Sequence, residues 1–193
     1  MLSAIVLAAG SSKRMNGINK LILPYKNKTI ISTVVTNILA AGIEEVIVVV
    51  GYEAEKVKEA LENLPVIIIN NPDHEKGLTT SIQQGVSCAK GNGYMICLSD
   101  MVLITPEEYI FLKSSFEKQW LMNAACICVP RYKNEKGNPV IFSSWYKRVI
   151  LEHGEMEGCK EIVQSNRNNI SWVDMQSTHI LEDIDYPGDY DKL

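Results

Sequence analysis

The chain has 193 residues, of which 46% are hydrophobic and 22% are charged, and its formal net charge is −4 at pH 7. This length and composition are ordinary for a globular protein whose core needs no disulfides, so we expect one domain over residues 1–193. The negative charge argues against broad binding to nucleic acid or to a membrane surface, because both require a basic field.

The sequence shows neither an export signal nor a cysteine framework. No apolar stretch approaches the length of about 18 residues that a membrane span needs, and the apolar N-terminal run lacks the basic flank of a signal peptide. The five cysteines form no CxxC pair, which favours reduced thiols. We therefore expect a cytoplasmic protein. As a separate expectation, we take it to be a monomer or a weak dimer.

Apolar residues recur with strand or helix periods along most of the chain. In chain order they predict a strand at 4–9, a helix at 29–41, a strand at 45–50, a helix at 53–61, a strand at 66–69, a helix at 79–89, a strand at 94–98, a helix at 106–119, strands at 124–129 and 140–142, helices at 145–151 and 158–164, strands at 170–173 and 180–184, and a helix or turn at 186–190. This alternation predicts a three-layer α/β/α fold with a mostly parallel, Rossmann-like sheet.

The segment after the first predicted strand carries the clearest functional signal. The apolar run ends at Gly10, and before apolar residues resume there is a polar stretch containing Ser11, Ser12, Lys13, Arg14 and Lys20. Small residues let backbone N–H groups approach an anion, and basic side chains add positive charge. This layout indicates a loop that holds phosphate, and therefore a nucleotide substrate.

Polar residues also follow other predicted strands. Asn70 and Asp100 should gather with Gly10, because parallel strands bring their carboxyl ends to one edge of the sheet. A carboxylate at Asp100 suits Mg²⁺, which prefers hard oxygen ligands. Asp183 and Asp185 are a second acidic pair, and their spacing of two would place both on one face of a strand.

Five segments in this order resemble the nucleotidyltransferase superfamily with a pyrophosphorylase-type fold. Within it, the MobA-like group and its molybdenum cofactor cytidylyltransferases look nearest. The segments are LAAGSSKRM at 7–15 with Lys20 and Pro24, KGLTTSI at 76–82, SDM at 99–101, GNPVIF at 137–142 and DIDYPGDY at 183–190. The resemblance covers nearly the whole chain. It implies a fold of the nucleotide-diphospho-sugar transferase type and transfer of a nucleoside monophosphate with release of pyrophosphate.

The chemistry of this reaction and the resemblance together assign candidate site residues. Lys20, Arg14 and Asp100 are the catalytic candidates, since nucleotidyl transfer depends on cations and alignment. Mg²⁺ is the expected cofactor, held by Asp100 and Asp185 with Asp183 in support. The nucleotide-binding candidates are Leu7, Ala8, Ala9, Gly10, Ser11, Ser12, Lys13, Arg14, Lys20, Asn70, Gly77, Ser81 and Asp100. The acceptor-facing part, at about 130–185, contributes Asn138, Pro139 and Lys160.

The sequence departs from the family at the acceptor side. GEMEGCK at 154–160 only loosely resembles the family's GDxGAR stretch, and it is one residue longer with Lys in place of Arg. SDMV at 99–102 replaces the usual GDMP, and Tyr186 replaces the Thr of the usual Asp-Thr-Pro. The acceptor is therefore the least determined part of the prediction. The LAAG at 7–10 resembles the cytidine-using branch, whereas guanylyl enzymes typically carry LAGG.

These observations favour transfer of CMP from CTP, or from another nucleoside triphosphate, to a molybdopterin-like acceptor, with a molybdenum hydroxylase as a further partner that receives the product. Two alternatives stay open: nucleotidyl transfer to a sugar phosphate or phosphocholine, and a non-catalytic nucleotide-binding maturation factor for such a hydroxylase. A Rossmann dehydrogenase and a P-loop kinase are disfavoured, because neither GxGxxG nor GxxxxGK[ST] follows the first strand.

Overall fold

The computed structural model describes residues 1–12, 14–15 and 17–192. The strands are β1 (Leu2–Ala8), β2 (Pro24–Tyr25), β3 (Lys28–Thr29), β4 (Glu45–Val50), β5 (Ile67–Asn70), β6 (Gly93–Leu98), β7 (Ile127–Tyr132), β8 (Glu135–Lys136), β9 (Val140–Ser143) and β10 (Ile170–Asp174). The α-helices are α1 (Ile30–Ala40), α2 (Ala54–Glu59), α3 (Leu78–Cys88), α4 (Pro106–Met122), α5 (Lys147–Glu152), α6 (Lys160–Ser165) and α7 (Pro187–Tyr190). Short 3₁₀ turns lie at Lys20–Ile22, His74–Lys76, Ser144–Tyr146, Arg167–Asn169 and His179–Leu181.

One mixed sheet forms the centre of the fold. Its strand order is β10-β7-β9-β6-β1-β4-β5, and β8 pairs with β7. The pairs of β1 with β4 and β6, of β4 with β5, and of β7 with β10 are parallel, whereas β9 runs antiparallel to both of its neighbours. β2 and β3 form a separate two-stranded hairpin. The predicted mostly parallel sheet is confirmed.

Apolar side chains cover both faces of this sheet. In β1, Ala4 and Val6 belong to one core cluster, which also contains buried residues of α1, α2 and α4. Ile5 and Leu7 belong to the other cluster, with buried residues of α3, α5 and α6. Alternation along a strand thus places helices on both faces, which confirms the three-layer α/β/α architecture.

Local sequence determines several element boundaries. α4 starts with a capping box, in which the Thr105 hydroxyl accepts the Glu108 N–H at 3.4 Å and the Glu108 carboxylate accepts the Thr105 N–H at 2.8 Å.

In α3, a Cβ added at Gly85 would lie 2.3 Å from Ile5 Cγ2. Glycine therefore permits the close approach of α3 to β1 that positions the first turn of α3 near the sheet edge.

The predicted strand at 180–184 is wrong. Residues His179–Leu181 form a 3₁₀ turn, and the carbonyl of Ile180 accepts the Asn138 N–H at 3.0 Å. The Ile184 carbonyl accepts a hydrogen bond from the Lys20 ammonium. Ile180 and Ile184 are buried, so their apolar spacing reflects packing of an irregular segment and not a strand. No helix in the described part of the chain is long and apolar enough to cross a membrane.

Candidate active site

A cavity of about 350 Å³ lies beyond the carboxyl ends of β1 and β6. The loop after β1, the first turn of α3, the residues after β6 and the segment before α7 all contribute to its wall. The lining residues are Leu7, Ala9, Gly10, Ser12, Arg14, Lys20, Leu21, His74, Gly77, Leu78, Ser81, Leu98, Ser99, Asp100 and Asp185. The position agrees with the rule that open α/β sheets bind ligands at the carboxyl ends of their strands.

Lys20 stands between two carboxylates in this cavity. Its Nζ lies 2.5 Å from Asp100 Oδ2 and 3.1 Å from Asp185 Oδ1. The Lys20 and Asp100 side chains are each only 13% exposed. Burial lowers the pKa of Lys20, but the charges and hydrogen bonds of Asp100 and Asp185 outweigh this effect, so its pKa lies above 10.5. The ammonium is therefore charged at neutral pH.

Arg14 extends the positive charge toward solvent. Its Nη1 lies 2.5 Å from Asp185 Oδ2, and its side chain is 61% exposed. The guanidinium also lies over the Tyr186 ring, with Cζ 5.6 Å from the ring centroid. Arg14 is thus held at the rim of the cavity, where its planar fork can meet the oxygens of a phosphate chain.

Three carboxylates converge beside Lys20. One oxygen from each of Asp100, Asp183 and Asp185 lies within 4.8 Å of the other two. Asp100 Oδ1 is buried and has no hydrogen-bond partner among the described residues. The pKa of Asp183 is raised, first by burial and then by the negative charges of Asp100 and Asp185. These groups outnumber the Lys20 ammonium and supply the hard oxygens that a divalent cation prefers.

The surrounding network fixes the ends of the strands. Ser99 donates its hydroxyl to the Leu7 carbonyl at 2.7 Å, which ties the end of β6 to β1 just before Asp100. Asn71 is fully buried and donates its side-chain amide to the Thr80 and Ser81 hydroxyls, both at 2.9 Å. Its backbone N–H also donates to the Val50 carbonyl at 2.8 Å. Asn71 therefore connects the β4–β5 edge to the first turn of α3.

Residues 4–170 match the model of the MobA-like NTP transferase domain. The chain belongs to this family. Molybdenum cofactor cytidylyltransferase of Escherichia coli K12 is 26% identical over 190 residues, which cover 98% of this chain and 93% of that protein. A probable molybdenum cofactor guanylyltransferase of Methanosarcina mazei is 28% identical over 160 residues, covering 78% of this chain and 66% of that protein.

Solved structures agree with this assignment at the level of the fold. A nucleotidyl transferase from Methanothermobacter thermautotroptrophicus superposes with a TM-score of 0.85 and 23% identity, and the match covers 100% of this chain and 95% of that one. The family match makes this MobA-like chain a nucleotidyltransferase, and the structural match shows the nucleotide-diphospho-sugar transferase fold. The family resemblance predicted from the sequence is confirmed.

The cavity of this MobA-like chain brings together most, but not all, of the predicted nucleotide-binding residues. Leu7, Ala9, Gly10, Ser12, Arg14, Lys20, Gly77, Ser81 and Asp100 line it, together with the predicted metal ligand Asp185. Ala8 is buried in the core cluster that contains α1, and Asn70 is exposed at the end of β5. Ser11 is half-buried outside the lining set. Lys13 lies outside the described residues.

Sequence reasoning missed Asn71 and chose its neighbour. Asn70 ends β5 and Asn71 follows it, and adjacent residues of an extended chain point to opposite sides. A signal was present in the Asn-Asn-Pro-Asp turn, but it does not distinguish the two positions. Asn71 reaches Ser81, whereas Asn70 is exposed.

The predicted acceptor residues lie apart from this cavity. The Asn138–Pro139 peptide bond is cis, Pro139 is buried, and the Asn138 N–H donates to Ile180. Lys160 is exposed and pairs with Glu157 at 3.2 Å. None of these three residues is among the described residues that line the cavity.

A second cavity of about 550 Å³ shares Asp100 and Asp185 with the first, and it also contains Asp183 and Tyr186.

Proposed function

We propose that this MobA-like chain transfers CMP from CTP to molybdopterin in a metal-dependent reaction that releases pyrophosphate. The observation that carries the proposal is the position of Lys20, whose ammonium lies between Asp100 and Asp185 in the cavity beyond β1. A cation held in place in a cavity that Gly10 also lines can stabilise the negative charge that develops during nucleotidyl transfer.

The triphosphate occupies the side of the cavity formed by Gly10, Ser12 and Arg14. Backbone N–H groups near Gly10 approach the phosphate oxygens, and the guanidinium at the rim adds a planar pair of donors. The base and ribose lie against the first turn of α3, where Gly77 and Ser81 face the same cavity. This orientation places the α-phosphate near Lys20.

The reaction exchanges one phosphorus–oxygen bond for another. An oxygen of the acceptor phosphate attacks the α-phosphorus, and the bond to the bridging oxygen breaks, so pyrophosphate leaves with the electron pair. Lys20 holds its proton and stabilises the negative charge that grows on the α-phosphate oxygens. The Arg14 guanidinium compensates charge on the departing pyrophosphate.

Asp100, Asp183 and Asp185 are the residues that would hold a divalent cation. The unpartnered, buried Asp100 Oδ1 and the spacing of the three carboxylates fit this role. When bound, such a cation neutralises phosphate charge and helps to align the reacting groups. We assign it to Mg²⁺ because carboxylate and phosphate oxygens are its usual ligands.

Ala9 supports CTP as the nucleotide. It lines the cavity, and its methyl group occupies space that a glycine would leave open. A smaller cavity favours a pyrimidine over a purine. The two molybdenum cofactor relatives are named for different nucleotides, cytidylyl and guanylyl, so GTP is the alternative donor to test. Asn138, Pro139 and Lys160 keep their acceptor role as a prediction, as does delivery of the product to a molybdenum hydroxylase.

A matrix of donors and acceptors tests the proposal. CTP, GTP, ATP and UTP are each combined with molybdopterin, a sugar phosphate, phosphocholine or no acceptor, in Mg²⁺, and pyrophosphate release is measured. We expect release above background with CTP and molybdopterin together. Pyrophosphate release with another acceptor would reassign the substrate. If the chain binds a nucleotide tightly but releases no pyrophosphate with any donor–acceptor pair, a non-catalytic binding factor would be favoured.

A further inference from the structure

The first turn of α3 forms one wall of the candidate nucleotide site. Gly77, Leu78 and Ser81 line the same cavity as Lys20 and Asp100. Asn71 already ties Thr80 and Ser81 of this turn to the β4–β5 edge. Contacts made elsewhere on the turn would further fix the surface that it offers to a nucleoside. The residues that pack against this turn therefore affect how tightly the site binds a nucleotide.

Residues 153–158, which we call the 153–158 loop, lie directly against this turn. At Gly77, where φ is +117°, an added Cβ would lie 2.7 Å from the carbonyl oxygen of Met156. At Gly158, where φ is +81°, an added Cβ would lie 3.1 Å from Leu78 Cδ2. Glycine at both positions permits an approach that a side chain would block. The loop thus backs the wall of the cavity from outside.

Thr79 holds one end of this contact. Its side chain is buried, and its hydroxyl donates to the Glu155 carbonyl and accepts the Gly158 N–H at 3.0 Å. A single hydroxyl therefore satisfies two backbone groups of the loop. Its removal would leave the N–H of the buried Gly158 without this partner, which is costly. It would also release the carbonyl of the exposed Glu155 from α3.

Gln83 holds the other end. It lies one helical turn after Thr79 and hence on the same face of α3. Its Nε2 donates toward three backbone carbonyls, at 3.0 Å from Ile150, 3.1 Å from Leu151 and 2.9 Å from His153. The last carbonyls of a helix lack partners within that helix, so Gln83 supplies a cap for α5 at the point where the loop begins.

We infer that Thr79 and Gln83 are positioning residues for nucleoside binding, because they clamp the 153–158 loop against the turn of α3 that lines the nucleotide cavity. This inference rests on the proposed nucleotide site. It gives a role to the part of the chain, 154–160, where the sequence departs from the family pattern. That part backs the wall of the nucleotide cavity. When either side chain is lost, Asn71 still holds Thr80 and Ser81, but a bound nucleotide has to order the loop behind the turn, and its affinity falls.

Titration calorimetry of nucleotide binding tests this inference without any acceptor. CTP, GTP, ATP and UTP are titrated in Mg²⁺ into the wild-type chain, and the tightest ligand is then used with Thr79→Val, Thr79→Ser and Gln83→Met. Val and Met keep the approximate side-chain shape and remove the hydrogen bonds, whereas Ser keeps the hydroxyl. Gln84→Met, at the adjacent helix position, is the matched control.

We expect Kd to rise about tenfold in Thr79→Val and in Gln83→Met, the scale of a lost buried hydrogen bond, and to stay within about twofold in Thr79→Ser and Gln84→Met. Amide exchange at residues 155–158 should speed up in Thr79→Val and not in Thr79→Ser. A folded Thr79→Val chain with wild-type Kd would overturn the inference. A Thr79→Ser chain whose affinity for the nucleotide falls as far as that of Thr79→Val would also overturn it.

The two levels of proposal fail differently. A wild-type chain that binds none of the four nucleotides contradicts the proposed function and removes the inference with it. If the wild-type chain binds one of them, and Thr79→Val and Gln83→Met bind it equally well, the result contradicts the inference alone. If Thr79→Val does not fold, Gln83→Met decides by the same criterion.

Discussion

Replacement of Lys20 by Met should separate a catalytic loss from a loss of stability. The ammonium lies 2.5 Å from Asp100 and 3.1 Å from Asp185, so the substitution leaves carboxylates facing one another without a cation. Loss of one group that stabilises transition-state charge typically costs about 10²–10³ in turnover, or about 3–4 kcal/mol. We expect pyrophosphate release to fall by this factor.

The stability loss follows from the same distances. Breaking a fully buried ion pair costs about 3–5 kcal/mol. Because Asp185 is 35% exposed, we expect a loss below this range, about 2 kcal/mol, by urea denaturation. Mg²⁺ should restore more stability to Lys20→Met than it adds to the wild type, because ammonium and metal are attracted by the same carboxylates. A cation at 100 times its Kd stabilises by about 2.7 kcal/mol.

Two controls accompany this experiment. Lys20→Arg keeps the charge and should retain more activity than Lys20→Met, and Lys118→Met removes an exposed lysine of α4 and should change neither quantity. Turnover of Lys20→Met within tenfold of the wild type would refute the assigned role of Lys20. Equal stabilisation of both chains by Mg²⁺ would refute the shared attraction to the carboxylates.

Three further predictions test other parts of the structure. Asp100→Asn should abolish pyrophosphate release with an unchanged circular dichroism spectrum, and it should raise the Kd for Mn²⁺ at least about tenfold, the smallest cost typical of groups that merely orient metal ligands; wild-type metal affinity would contradict its metal role. Gly77→Ala should cost about 1–3 kcal/mol in urea denaturation, because φ is +117° and the new Cβ would lie 2.7 Å from the Met156 carbonyl; Gly154→Ala, with nothing within 4 Å, is the control, and equal losses would contradict the explanation. For Glu108, burial raises the pKa, but hydrogen bonds from Ser177, the Thr105 N–H and His179 outweigh it, so its pKa is lowered. As the pH falls from 4.5, the ordinary pKa of a glutamate, through the lowered pKa of Glu108, the wild type should therefore lose on the order of 1 kcal/mol of stability relative to Glu108→Gln. A stability difference between the two chains that does not change with pH would contradict this.

The parts of the fold that local physics determines could be predicted from the sequence. β4 coincides with the predicted strand at 45–50, because a run of β-branched residues buried on both faces has few alternatives. The start of α4 follows from its capping box and proline. The placement of the glycine loop and Asp100 at one sheet edge followed from strand direction alone, since the carboxyl ends of parallel strands meet.

Tertiary contacts decided what the sequence could not show. The segment at 180–184 has the apolar spacing of a strand, but its carbonyls bond to Asn138 and Lys20. Asn71 is buried and Asn70 is exposed, because adjacent residues of an extended chain point to opposite sides, and the two identical residues give no sign of which side faces α3. β2, β3 and β8 have two residues each, too few for any period to appear. The packing of the 153–158 loop on α3 depends on residues distant in sequence.

Transfer of label from α-phosphate-labelled CTP to molybdopterin tests the central claim most directly. The reaction is run in Mg²⁺ with the wild-type chain and with Asp100→Asn, and the product is identified by its mass. With the wild type we predict a labelled product in which CMP is joined to molybdopterin, together with an equal amount of pyrophosphate. With Asp100→Asn we predict neither. Wild-type chain that binds CTP yet transfers no label, or an Asp100→Asn chain that transfers it at the wild-type rate, would contradict the proposed function.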